Sequence, residues 1–206
     1  MYDWIDDTVK EAIAIFQQFG LDWQFRFHPG AEQQQIIQCE RELNLSLPYS
    51  YREFLRRSNG AHLFYSAIEL EYPDSDPCWA ASGIKIFGTT ELLLDRRYRQ
   101  EANFYDEPED PSILGFAYLG YVGTSDFCAL DTAEFSGVEC PVLDCDHDYS
   151  SLEWKEKIIA ASFEEWLSKM FDRIINHKSL PEYWLSDTLN DNSLAIAASF
   201  NDSVLE

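Results

Sequence analysis

A chain of 206 residues, 46% hydrophobic and 15% aromatic, carries enough apolar side chains for one sizeable core and is neither disordered nor fibrous in composition. Its 37 Asp and Glu against 15 Lys and Arg give a formal charge of −22, a surface that repels phosphate backbones and anionic lipid, so nucleic acid and membrane are excluded as partners. No apolar run reaches membrane-spanning length, and the acidic start MYDWIDDTVKEA lacks the basic opening of a signal peptide, so a cytoplasmic protein is expected.

The spacing of Trp4, Ile5, Val9, Ile13 and Phe16 predicts an amphipathic helix over 3–19, with Asp3, Asp6 and Asp7 at its electropositive N-terminus and Gly20 as its stop. Leu21, Trp23, Phe25 and Phe27 alternate with polar neighbours, the pattern of a short strand or extended edge closed by Pro29-Gly30. The stretch from Ile36 to Gly60 is the most punctuated in the chain. Ile36, Ile37, Glu40 and Leu43 keep helical spacing, and Leu45 and Leu47 carry an apolar edge onward. Pro48 cannot continue that helix but suits the first turn of the next, in which Tyr51, Phe54 and Leu55 recur. Asn59-Gly60, the residues best suited to left-handed backbone, end it.

Strands are predicted at 62–71 and 83–88, separated by a Pro- and Asp-rich connection. Thr89-Thr90-Glu91 opens a helix to about Phe104, with Leu92, Leu93 and Tyr98 apolar and Arg96, Arg97 and Arg99 exposed. A surface loop spans 105–112. Strands follow at roughly 113–121, 126–132 and 140–145, with turns at Gly123 and Gly137. Ser162 and Glu165 form a capping-box pattern before a last helix of Phe163, Trp166, Leu167, Met170, Phe171 and Ile174. Residues 179–206 read as a C-terminal extension. Helices before and after a run of antiparallel-type strands define an α+β class, and no repeat or linker divides the chain.

The stretch from Ile36 to Gly60 resembles the signature of the SUKH superfamily, which includes the fungal cell-wall assembly regulator, Syd-like proteins and many bacterial toxin-immunity proteins. There an I-x-x-x-E-x-x-L helix leads into L-P-x-x-Y-x-x-F-L and then N-G. Ile36, Glu40, Leu43, Leu47, Pro48, Tyr51, Phe54, Leu55, Asn59 and Gly60 match it. The segments 84–93, 113–132 and 158–171 are similar to its strand and turn, its central strands and its closing helix, so the resemblance covers roughly residues 30–175. One departure is Gly123-Thr124-Ser125-Asp126, where the family often has glycines just before the Asp. The resemblance implies a bent, mostly antiparallel sheet flanked by N-terminal and C-terminal helices, in one domain over 1–206. It also implies a non-enzymatic protein-binding role, with Glu40, Leu47, Pro48, Asn59 and Gly60 as architecture.

Candidate chemistry is sparse. Five cysteines, odd in number and without paired spacing, are expected to be buried free thiols rather than a disulfide framework. Cys140, Cys145, Asp146, His147 and Asp148 crowd together, but a structural zinc site normally takes two separated ligand pairs. Asp144, Asp146 and Asp148 mimic a calcium loop that then fails at Tyr149 and Lys155, where Gly and Glu are needed. His28, His62, His147 and His177 are scattered, and neither a nucleophile elbow nor a phosphate-cradling loop is present. The arginine groups 56–57 and 96–99 are short enough to pair with the protein's own acids. We therefore expect no cofactor, metal or catalytic residue.

Charge distribution supplies the positive expectation. Thirteen acids and no Lys or Arg lie between Arg99 and Lys155. Such a stretch attracts a basic protein partner, which the resemblance implies is a toxin domain, and speeds the encounter. The contributors expected are Asp106, Glu107, Glu109, Asp110, Asp126, Asp144, Asp146 and Asp148. The resemblance points to an immunity-type protein that covers a bacterial toxin as the first reading. A regulatory scaffold for a host enzyme or signalling protein is the second, and a metal-assisted hydrolase on the Cys140–Asp148 cluster the third.

Overall fold

The computed structural model describes residues 1–18, 23–66, 83–102, 110–119 and 126–176. Seven strands lie side by side in chain order: β1 (Trp23–Phe27), β2 (Ala61–Ser66), β3 (Ile84–Ile86), β4 (Ile113–Leu119), β5 (Phe127–Asp131), β6 (Val142–Cys145) and β7 (Ile158–Ala160). Every neighbouring pair is antiparallel, so the sheet is a meander with β1 and β7 at its edges. Among the described residues six α-helices accompany it: α1 (Ile5–Gln18), α2 (Gln33–Leu43), α3 (Tyr49–Arg57), α4 (Thr89–Ala102), α5 (Ser151–Trp154) and α6 (Phe163–Ile175). The class is α+β.

The strands sort their residues by the two-residue period of extended chain. On one face Leu114, Phe116, Cys128, Leu130 and Val142 join the main core with α1, α3 and α6, where Phe16, Tyr51, Phe54, Phe163, Trp166 and Phe171 are fully buried. Phe116 meets Phe163 and Trp166 at ring-centroid distances of 5.3 and 4.8 Å, edge to face, the arrangement ring quadrupoles favour. On the other face Ile113, Phe127, Ala129, Leu143 and Cys145 form a smaller cluster closed by Trp154.

The predicted apolar residues of the last helix are all buried. Ser162 caps it by accepting from the amide of Glu165, whose carboxylate accepts in turn from the amide of Ala161. The stretch 158–160, expected within the closing helix, is instead β7, and a full capping box at Ser150 and Glu153 opens the unforeseen α5. Asn59 does not adopt left-handed backbone. Of the pair Asn59-Gly60 it is Gly60 that has positive φ, at 93°, and Asn44 at the end of α2 is left-handed as well, with φ 54°. Arg99 is not exposed either: its side chain pairs with buried Asp95 at 2.8 Å and lies over the Phe127 ring, while Leu94 and Tyr98 face outward. Gly115 makes room for this pair, since a Cβ there would stand 2.7 Å from the Asp95 carboxylate. The expected turns at Gly20 and Gly123, and the expectations for Cys78, Trp79, His177 and 179–206, fall outside the described residues. Cys39, Cys128, Cys140 and Cys145 are buried thiols outside any disulfide.

Candidate functional site

Asp126 stands just before β5, and Asp146, His147 and Asp148 form the turn that follows β6. Pairing of Phe127 with Cys145 makes these two chain ends neighbours. Asp126 accepts from both the amide and Nδ1 of His147, at 3.0 and 2.8 Å. Asp146 lies 3.8 Å from Nδ1, and Asp148 lies 3.4 Å from Nε2. Asp146 also accepts from the amide of Asp148, and its carbonyl accepts from the Trp154 indole, which fixes the turn to the second core. The hydrogen bond to Asp126, reinforced by the charges of Asp126, Asp148 and Asp146, raises the His147 pKa above the usual imidazole value.

The other predicted acids are placed differently. Asp110 precedes β4, near the far end of β5, where Ile113 pairs with Asp131. Lys155 reaches it at 2.7 Å, and the amide and hydroxyl of Ser112 donate to it. Burial alone would raise its pKa, but these bonds win and hold it at about 2. Asp144 sits opposite Cys128 on the main-core face of β6 and is half-buried. Burial, with Asp144 beside it, pushes the Cys128 thiol up. The structure thus brings Asp126, Asp146 and Asp148 together, and sets Asp110 and Asp144 apart from them. Asp106, Glu107 and Glu109 lie outside the described residues.

Beside the convergent acids the chain exposes apolar side chains that sequence periodicity did not single out. Tyr149 and Leu152 are exposed at 37% and 71%, and Lys157 lies over the Tyr149 ring. The charge-rich context hid them, because a lone Tyr in an acidic turn reads as loop. Glu139, counted only as one more acid, is committed elsewhere: its carboxylate accepts from the amide and hydroxyl of Ser50 at the N-terminus of α3. A carboxylate there satisfies amides that the helix leaves open.

The Cys140–Asp148 cluster does not converge as a ligand set. Cys140 belongs to the main core and Cys145 to the second, on opposite faces of the sheet, and burial pushes the Cys140 thiol up to about 12. Ligand atoms of Asp126, Asp146 and His147 do lie within 4.8 Å of one another, close enough to share a cation. Asp126 already serves two donors of His147, which is the chemistry of an ion pair. Open depressions among the described residues lie elsewhere, one lined by Trp4, Ser162, Glu164 and Lys169 and another by His28, Asn59, Thr90 and Glu91.

The signature residues are built into the fold. Glu40 accepts from the amide of Leu47 at 2.9 Å and lies 3.5 Å from Arg52, which ties α2 to the start of α3. Leu47 is buried, and Pro48 caps α3 with φ −57°. Asn59 accepts from the amide of Thr89 and so holds the start of α4. Gly60 has φ +93°, and a Cβ there would come within 2.9 Å of the Gly88 amide.

Among the described residues no helix is long and apolar enough to cross a membrane. Comparison with curated proteins returns no match. The model of the SMI1 / KNR4 family (SUKH-1) matches residues 30–169, from the loop before α2 into α6. That match spans more than half of the 206 residues and includes every signature position described above, so the chain belongs to the SMI1 / KNR4 family (SUKH-1).

Proposed function

We propose that this protein acts by binding another protein and covering a basic surface on it, as an immunity-type protein that neutralises a bacterial toxin, and not by turning over a substrate. The observation that carries the reading is the convergence of Asp126, Asp146 and Asp148 at one end of β5 and β6. Among the described residues no Lys or Arg pairs with any of them, and His147 is their shared partner. The contrast with Asp110, neutralised by Lys155, gives this end of the sheet its excess of negative charge.

Exposed Tyr149 and Leu152 beside these acids supply apolar anchors next to a charged rim, the composition of binding surfaces. Membership in SUKH-1, whose proteins are generally non-enzymatic, is compatible with immunity and regulatory roles alike. The distinction is experimental. Purification of the intact protein from its native host should recover one basic partner in stoichiometric amount, with fast and salt-sensitive association. Recovery of several weakly held, non-basic proteins would turn the assignment to a regulatory scaffold. Turnover by the purified chain that tracks bound metal would overturn both.

A further inference from the structure

We propose that β1 is an acceptor edge, to which a partner protein adds an extended segment alternating apolar and acidic residues. The argument is independent of the acidic end of the sheet and rests on strand register. Arg26 on β1 pairs across to His62 on β2, which pairs across to Lys85 on β3. These three side chains form one row on the face away from the main core, with Arg26 exposed, and His28 lies 5.8 Å from His62, ring to ring. The extra residue in β2, Phe64 with φ 58°, returns Tyr65 to this face, where Arg26 lies over its ring.

Arg26 and Lys85 stand two strands apart with His62 between them, and a chain of charge −22 has carboxylates to spare. Arg52, Arg57, Arg99, Lys155 and Lys169 each take an acid of their own. Among the described residues neither Arg26 nor Lys85 does. The positive field is strong enough to act with burial on His62, whose pKa falls to about 4 through burial, Lys85, His28 and Arg26.

The edge itself supplies the rest. Among the described residues β1 pairs only with β2, and Gln24 to Phe27 form the edge at which a further strand would pair. On the core face Phe25 and Phe27 are only half-buried, although Phe25 stacks on Phe16 and Phe171 at 6.2 and 5.7 Å. An added strand would therefore place apolar residues beside Phe25 and Phe27, and an acid beside Arg26. Strand addition of this kind draws affinity from the main chain and selectivity from alternate side chains. A second copy of this chain fits badly, because antiparallel β1-to-β1 pairing puts the two Arg26 side chains on one face and joins two bodies of charge −22. The acids of the segment feel the row rather than the whole surface, because screening at physiological salt acts over about 8 Å.

The test is a titration of the intact, 15N-labelled chain with a synthetic capped peptide alternating Val and Glu, followed by amide shifts. Binding should perturb Gln24 to Phe27 and His62, and replacing Glu by Lys should weaken it roughly five- to tenfold. Arg26→Glu should reverse that preference, with an unchanged melting temperature showing that the fold is intact. Alternate N-methylation of the peptide should abolish binding by removing its backbone donors. Any of four results would overturn the proposal: equal affinity for the Glu and Lys peptides, no binding of either, full binding of the N-methylated peptide, or a wild-type dimer in sedimentation that Arg26→Glu disrupts.

Discussion

Glu40 is one carboxylate among many, yet its surroundings make it irreplaceable in kind. It is largely buried and serves two groups at once, the Leu47 amide and the Arg52 guanidinium. Truncation would leave a part-buried amide without its acceptor and Arg52 without its acid. Glu40→Ala should therefore cost roughly 1–3 kcal/mol in urea unfolding, while Glu40→Gln, which keeps an acceptor, should cost visibly less. His62 gives the residue scale its pH dependence. Its folded pKa, about 4, lies below the unfolded imidazole value, so the unfolded chain binds the extra proton between the two. Stability contributed by neutral His62 is present above the unfolded value and lost as pH falls toward the folded one. His147 has the opposite sign: its pKa is raised, so its contribution is present at low pH and lost as pH rises through the folded value. His62→Gln should flatten the fall in unfolding midpoint between pH 7 and about pH 4.5, and His147→Gln should steepen it.

At the scale of elements, α3 and the second core depend on contacts distant in sequence. Glu139 closes the N-terminus of α3 through Ser50, from a loop before β6. Glu139→Ala should destabilise the protein by about 1–3 kcal/mol, with Ser50→Ala adding little on top, because Glu139→Ala already removes the bond that the Ser50 hydroxyl makes. Trp154 caps the outer face of β5 and β6 against Phe127 at 5.2 Å. Trp154→Ala should cost about 3–5 kcal/mol and release the Asp146 turn, which its indole holds. The long amphipathic elements could be read from the residues because Phe163, Trp166, Leu167, Met170, Phe171 and Ile174 repeat at helical spacing. β7 could not, because a strand of three residues has no period to detect, and Ile158-Ile159 joins smoothly to the apolar pattern of α6. Asn59 was legible as a boundary but not in its role, since its bond to Thr89 spans 30 residues. The candidate site was legible only as composition. That Asp126 meets Asp146 follows from the register of Phe127 with Cys145, and the same register sets Asp144 opposite Cys128, against the main core.

For the whole molecule the question is which part of a charge of −22 acts on a partner. A net charge of that size draws any basic protein weakly from all sides, whereas a convergent group sets the orientation of the encounter. Asp110 and the pair Asp146 and Asp148 separate the two effects, because each can be neutralised without disturbing the His147–Asp126 hydrogen bond. Asp110 is already paired with Lys155, so Asp110→Asn trades an internal ion pair for a free lysine. With a basic partner recovered from the native host, the Asp146→Asn, Asp148→Asn double variant should slow association several-fold at low salt and leave dissociation nearly unchanged. Asp110→Asn should alter association little, although its net charge also changes. The gap should close near 1 M salt, where the Debye length shrinks to about 3 Å. Equal slowing per charge removed, wherever it is removed, would mean that the partner answers to net charge alone. The convergence around His147 would then be an accident of the β5–β6 turn and not a docking face.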